Sequence, residues 1–136
     1  MRQKESVLAF KNELRNYTYY HKEVARLSNR VEELYERLGG VRGIDPSKEP
    51  LHVLPDKDLE YAIRDDISRL DAKISQFTHR IKEIDEILVR IENPVRDALI
   101  SVYAKGKTVD SVAMRMEISP SGVVKRFNRA IEKALL

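Results

Sequence analysis

Residues 108–134 read TVDSVAMRMEISPSGVVKRFNRAIEKA, and the fold turns on this stretch. Thr108 is placed to cap one short helix, and Ser119 followed by Pro120 to open a second, with about three residues between the two helices. Ala113 stands where two closely crossing helices need a small side chain. Ile118 and Val123 stand where apolar groups must fill the space between them. The pattern is that of a helix-turn-helix. Its second helix is predicted to carry Ser119 at its start and to present Ser121, Gly122, Lys125, Arg126 and Arg129 outward. A helix whose N-terminal half offers small polar and basic side chains suits the width and chemistry of a DNA major groove.

Charge is distributed in the same sense. The chain holds 25 Lys/Arg and 22 Asp/Glu, a net of +3. Residues 94–136 account for 8 Lys/Arg against 4 Asp/Glu, leaving 17 against 18 for the residues before them. The positive excess is thus confined to the C-terminal third, where basic charge on one module is the footprint of contact with a phosphate backbone.

The 136 residues allow one compact domain, or an extended element with a small domain attached. The charged fraction of 35%, with only 5 Gly and 5 Pro, suits long, surface-rich helices better than a large globular core. Cysteine is absent, which excludes disulfides and thiolate zinc sites. No stretch approaches the ~20 apolar residues of a membrane span, and the N-terminal residues MRQKESVLAFKNELR do not resemble a signal peptide. A soluble, cytoplasmic protein without membrane association is expected.

Working backward from the C-terminal motif, two heptad series precede it. The first runs Val7, Phe10, Leu14, Tyr17, His21, Val24, Ser28, Val31, Tyr35, Leu38, and stops at Gly39-Gly40. The second runs Ile63, Ile67, Leu70, Ile74, Phe77, Ile81, Ile84, Leu88, Ile91, and ends before Asn93-Pro94. Each predicts a helix of roughly 30 to 35 residues, about 45–50 Å long. The Gly- and Pro-rich segment between them, GGVRGIDPSKEPLHVLP, predicts an antiparallel, coiled-coil-like hairpin. Leu27 and Leu34 lie just beside the first seam and broaden its apolar stripe, which gives room for a second copy and predicts a homodimer.

Residues with chemical potential outside the motif read as structural. His21, His52 and His79 share no ligand spacing, and His21 falls on the heptad seam. Asp65, Asp66, Glu83, Asp85, Glu86 and Glu92 fall mostly on the outer face of the second long helix, as partners for Arg69, Arg90 and their neighbours. The pieces LGGVRG and GVRGID lack the Gly-Lys-Ser/Thr ending of a phosphate loop, although Arg42, Asp45 and Lys48 leave a binding role there open. Tyr17 belongs to the seam; Tyr19 and Tyr20 suit either helix flank or a partner surface. Neither catalysis nor a metal or cofactor is expected.

The stretch NPVRDALISVYAKGKTVDSVAMRMEISPSGVVKRFNRAIEKAL resembles the fourth region of sigma factors, the part that reads a promoter element. The shared features are Pro94 at the start, Leu99 and Tyr103 on the first helix, Gly106 before Thr108, Ala113 in the supporting helix, and Ile118-Ser119 leading into the spacing of Val123, Arg126, Arg129 and Ala130. With a long helical hairpin in front and GVRGIDPSK in its loop, the layout is similar to phage and prophage transcriptional regulators of the ArpU/RinA-like kind. Two positions depart from the family. Glu117 occupies a turn position usually held by glycine, where a left-handed backbone costs about 1 kcal/mol. Gly122 replaces threonine or another side chain able to touch phosphate or base, which either weakens that contact or permits close backbone approach.

The expected organisation is all-α: a hairpin over residues 1–92 serving dimerisation, with its loop at 39–55, followed by the sigma-like helix-turn-helix domain over 93–136. The resemblance implies sequence-specific binding of double-stranded DNA by a transcriptional regulator, with RNA polymerase as a further contact. Ser121, Lys125 and Arg126 are the candidates for base edges, and Lys107, Arg115, Arg129 and Lys133 for phosphates. One alternative is a small terminase subunit for phage DNA packaging, which would form rings. The other is a protein-binding module that contacts RNA polymerase without touching DNA.

Overall fold

The computed structural model describes residues 2–41 and 57–136. Every regular element among them is helical: α1 (Arg2–Arg15), α2 (Tyr17–Val41), α3 (Lys57–Leu88), α4 (Val95–Leu99), a π-helical turn (Ile100–Ala104), α5 (Val109–Met116) and α6 (Pro120–Leu135). Among the described residues no helix is long and apolar enough to cross a membrane. Contacts gather the chain into two units. One comprises Met1–His21 with His79–Leu136, the other Lys22–Thr78.

The first heptad series does not form one continuous helix. It breaks at Asn16, whose amide donates three residues back to the Glu13 carbonyl at 3.0 Å. The Asn16 side-chain amide meanwhile donates to the Asn12 carbonyl at 3.2 Å, the local competition with the backbone ladder that asparagine commonly offers. The break resets the seam. After Tyr17 the buried positions are Tyr20, Leu27, Leu34 and Leu38, with Val24 and Val31 half-buried, whereas His21 and Tyr35 are exposed. Two successive steps of three, Leu14 to Tyr17 to Tyr20, turn the helix face by about 100° relative to a strict heptad. The residues beside the expected seam are therefore the core residues. The second series holds at every position: Ile63, Ile67, Ile84, Leu88 and Ile91 are buried, and Leu70, Ile74, Phe77 and Ile81 half-buried.

In the Lys22–Thr78 unit, α2 and α3 fold back against each other as a hairpin. Leu34, Leu38, Ile63 and Ile67 form its core, flanked by Val31 and Leu70. The α2 helix continues through Gly39 and Gly40 to Val41 instead of stopping at the glycine pair, and neither glycine takes a left-handed conformation. Arg42, Asp45, Lys48 and His52 lie outside the described residues. The hairpin surface is laced with ion pairs: Arg26–Glu23 at 2.7 Å, Arg30–Glu33 at 3.1 Å, Arg64–Glu60 at 3.2 Å and Arg69–Asp65 at 2.6 Å. All are exposed pairs one helical turn apart, each contributing only a few tenths of a kcal/mol.

The other unit holds the larger core. Phe127, Leu14, Ile84, Leu99, Ile131, Val112 and Val123 are all below 2% exposed. Burial of each such side chain contributes roughly 1.5–3 kcal/mol of transfer free energy. Helix α1 packs on the π-helical turn and on α6, and α4 and α5 also pack on α6. Division by packing thus differs from division by motif at Asn93, because the first fifteen residues and the end of α3 share a core with the C-terminal helices. Two long-range contacts fasten α2 to α3 within this unit. The Tyr17 hydroxyl donates to Asp85 Oδ1 at 2.6 Å, and Arg80 Nη1 donates to the Tyr20 hydroxyl at 3.2 Å. Tyr20 is itself buried, which settles it as core rather than partner surface.

Candidate nucleic-acid interface

The candidate interface is built on α5, the turn at residues 117–119, and α6. The approach to α5 is set by the end of the π-helical turn, where the Lys105 amide donates five residues back to Ile100 and the Lys107 amide six residues back to Ser101. Gly106 between them has φ +72°, a left-handed conformation for which glycine carries no steric cost. Thr108 then takes an extended backbone, and its hydroxyl accepts from the Ser111 amide at 3.1 Å, capping α5.

Helix α5 closes with a bond that also reaches five residues back. The Ile118 amide donates to the Ala113 carbonyl and the Glu117 amide to Met114, with Glu117 at φ 58°, ψ 38°. Glutamate therefore accepts the left-handed position directly, and the turn is made without the usual glycine. Ser119 returns to an extended backbone, its Oγ accepting from the Gly122 amide at 3.1 Å, and Pro120 starts α6. The two helices are held together by Val112, Ala113 and Val123, all buried, with Ile118 half-buried in the turn.

Gly122 lies four residues before Arg126 and seven before Arg129, on the same side of α6, but is only partly exposed. It is half-buried, and a Cβ there would meet Ser119 Oγ at 3.1 Å and Ile118 at 3.9 Å. A side chain at this position would crowd the capping hydroxyl, so the glycine leaves room for the Ser119 cap. The remaining candidates are all exposed: Lys107, Arg115, Ser119, Ser121, Lys125, Arg126, Arg129 and Lys133. Ser121, Lys125, Arg129 and Lys133 recur every fourth residue and form one stripe about 18 Å long on α6. Arg126 lies beside it, three residues before Arg129.

No ion pair joins Lys107, Arg115, Lys125, Arg126, Arg129 or Lys133 to a carboxylate among the described residues. Three cations spaced by four along one helix repel each other, at a few tenths of a kcal/mol per pair. Such an edge becomes favourable when an anion lies along it. Its backing is firm. Phe127 meets the Tyr103 ring edge-on at 5.9 Å, Arg90 Nη1 donates to the Ala134 carbonyl at 2.9 Å, and Lys11 Nζ donates to Asn128 Oδ1 at 2.6 Å. Burial and the neighbouring Arg15 both make the Lys11 ammonium easier to deprotonate than an ordinary lysine.

Lys11 and Arg15 carry no mark in the sequence that sets them apart. They lie four residues apart beside Phe10 and Leu14 and look like solvated charge on a heptad flank. Only the docking of α1 brings them to Tyr103 and α6. No protein-family model, curated protein or solved structure matches this chain.

Proposed function

We propose that this protein is a sequence-specific DNA-binding transcriptional regulator of the phage or prophage kind that its sequence resembles. In this reading α5 and α6 are a sigma-like helix-turn-helix, and the hairpin brings two copies together. The carrying observation is the unpaired cationic edge of α6, exposed along its length on a helix capped by Ser119 and backed by buried Phe127 and Ile131. The start of α6 enters the major groove, with Ser121, Lys125 and Arg126 at base edges. Lys107, Arg115, Arg129 and Lys133 hold the phosphates on either side, and these contacts give orientation rather than sequence choice.

Two substitutions separate the roles. Arg126→Ala is expected to weaken binding to a retained genomic fragment by about 1–3 kcal/mol and to relax sequence preference. Lys133→Ala is expected to weaken all sequences alike and to lower the salt slope by about one. Gel shifts over a range of salt with specific and random duplexes measure both. Absence of any salt-dependent DNA affinity at low ionic strength would overturn the reading. Light scattering tests the dimer, since a ring of many copies would point to packaging instead.

A further inference from the structure

We propose that Lys11 and Arg15, side by side over the Tyr103 ring, form an anion site for a backbone phosphodiester of the duplex that α6 engages. The inference rests on the DNA-binding reading and adds α1 to it as a second, flanking contact element. Lys11 Nζ lies 5.7 Å and Arg15 Cζ 5.4 Å from the Tyr103 ring centroid. The two residues are four apart on α1, so their charges face one another across a single helical turn.

Among the described residues every partner of this pair is neutral. Lys11 donates to Asn128, Arg15 Nη1 donates to Asn12 Oδ1 at 2.7 Å, and both cations lie against the phenol of Tyr103. An aromatic face fixes a cation without cancelling its charge, whereas the carboxylates opposite Arg26, Arg30, Arg64 and Arg69 cancel theirs. Donor capacity is left over as well. An ammonium has three N–H groups and a guanidinium five, and one of each is used. Two like charges held together without an acid are a standing cost, and an anion between them removes it.

Position ties the site to α6. Asn128, the partner of Lys11, follows Lys125 by three residues and precedes Arg129 by one, so the Lys11 ammonium stands at the border of the cationic stripe. A duplex lying along that stripe would bring a phosphate of one strand past α1. The site adds attraction and register, and no base preference.

The test uses the full chain and a duplex it retains, with affinity followed by fluorescence anisotropy over a salt series. Arg15→Gln removes one charge at an exposed position and is expected to lower the slope of log K against log salt by about 0.9, with thermal melting unchanged. Arg15→Lys is expected to restore the wild-type slope, and Lys11→Gln combined with Arg15→Gln to lower it by about twice the single change. An unaltered slope for the double variant, in a protein whose affinity still falls with Arg126→Ala, overturns this inference and leaves the DNA-binding reading standing. Loss of salt-dependent binding in the wild type overturns both. A third arm titrates inorganic phosphate alone against the Arg15 side-chain NMR resonances. Saturable phosphate binding with an unchanged DNA slope would assign the site to a free anion and reject the phosphodiester.

Discussion

In the Lys22–Thr78 unit, four arginines answer carboxylates one turn away, while among the described residues the cations along α6 and at the α1 flank answer neutral groups or none. The cores differ as well. Among the described residues, the hairpin unit has Leu34 alone among its most enclosed large side chains, whereas the other unit has seven. A two-helix layer can bury only one stripe per helix, so its surface charges are arranged to support the helices themselves. The unit with a many-sided core can tolerate unneutralised charge on its outside, and that tolerance is what a binding edge requires.

The sharpest way to break this contrast is to empty the larger core. Phe127→Ala should destabilise the protein by about 3–5 kcal/mol in denaturant unfolding, because Phe127 is fully enclosed and touches Tyr103. Leu34→Ala should cost less, about 2–3 kcal/mol, because a two-helix layer collapses more readily around the gap. Equal costs would mean that the hairpin is as rigidly packed as the C-terminal unit. Next in size, Ser119→Ala removes the acceptor for the Gly122 amide and should cost about 1 kcal/mol, seen as a lower thermal midpoint with little change in core signals.

A pH series sharpens the comparison at the α2–α3 contact of the larger unit. Burial, and then the hydrogen bond to Asp85, raise the Tyr17 phenol from its ordinary 10.0 to about 12. The fold thus favours the protonated phenol. Its contribution is whole below pH 10 and is lost as pH climbs toward about 12. Tyr17→Phe lacks that contribution, so its unfolding free energy should fall less steeply than wild type over the same interval. Parallel curves would remove the Tyr17–Asp85 bond from the account. The smallest effect belongs to the hairpin surface. Arg69→Ala should change stability by no more than about 0.5 kcal/mol, although its ion pair is 2.6 Å long. A loss beyond 1 kcal/mol would show that the surface pairs of the hairpin act as a network.

Legibility in the sequence followed the range of the interactions involved. The α3 seam, the Thr108 and Ser119 caps and the left-handed Glu117 were all readable, because each depends on residues within one or two helical turns. The seam of the first series departs from a strict heptad after Leu14, because Asn16 diverts the backbone and the apolar spacing does not mark that step. Helical spacing puts Gly122 on the side of Arg126 and Arg129, but the Ser119 hydroxyl and Ile118 beside it are visible only in the fold. Lys11 and Arg15 carried no signal, because nothing near them in sequence distinguishes them from Lys4 or Lys22.

The chain's own order of residues was sufficient for an all-helical fold, a hairpin, two capped C-terminal helices and a cationic excess on the last of them. Periodicity, caps and net charge are local quantities, and they need no knowledge of distant neighbours. Tertiary structure alone decided that α1 shares a core with α6, that Tyr20 is buried while His21 is not, and that Lys11 and Arg15 meet Tyr103. Those outcomes come from side chains dozens of residues apart competing for one interior, and that competition is settled only when the helices have packed.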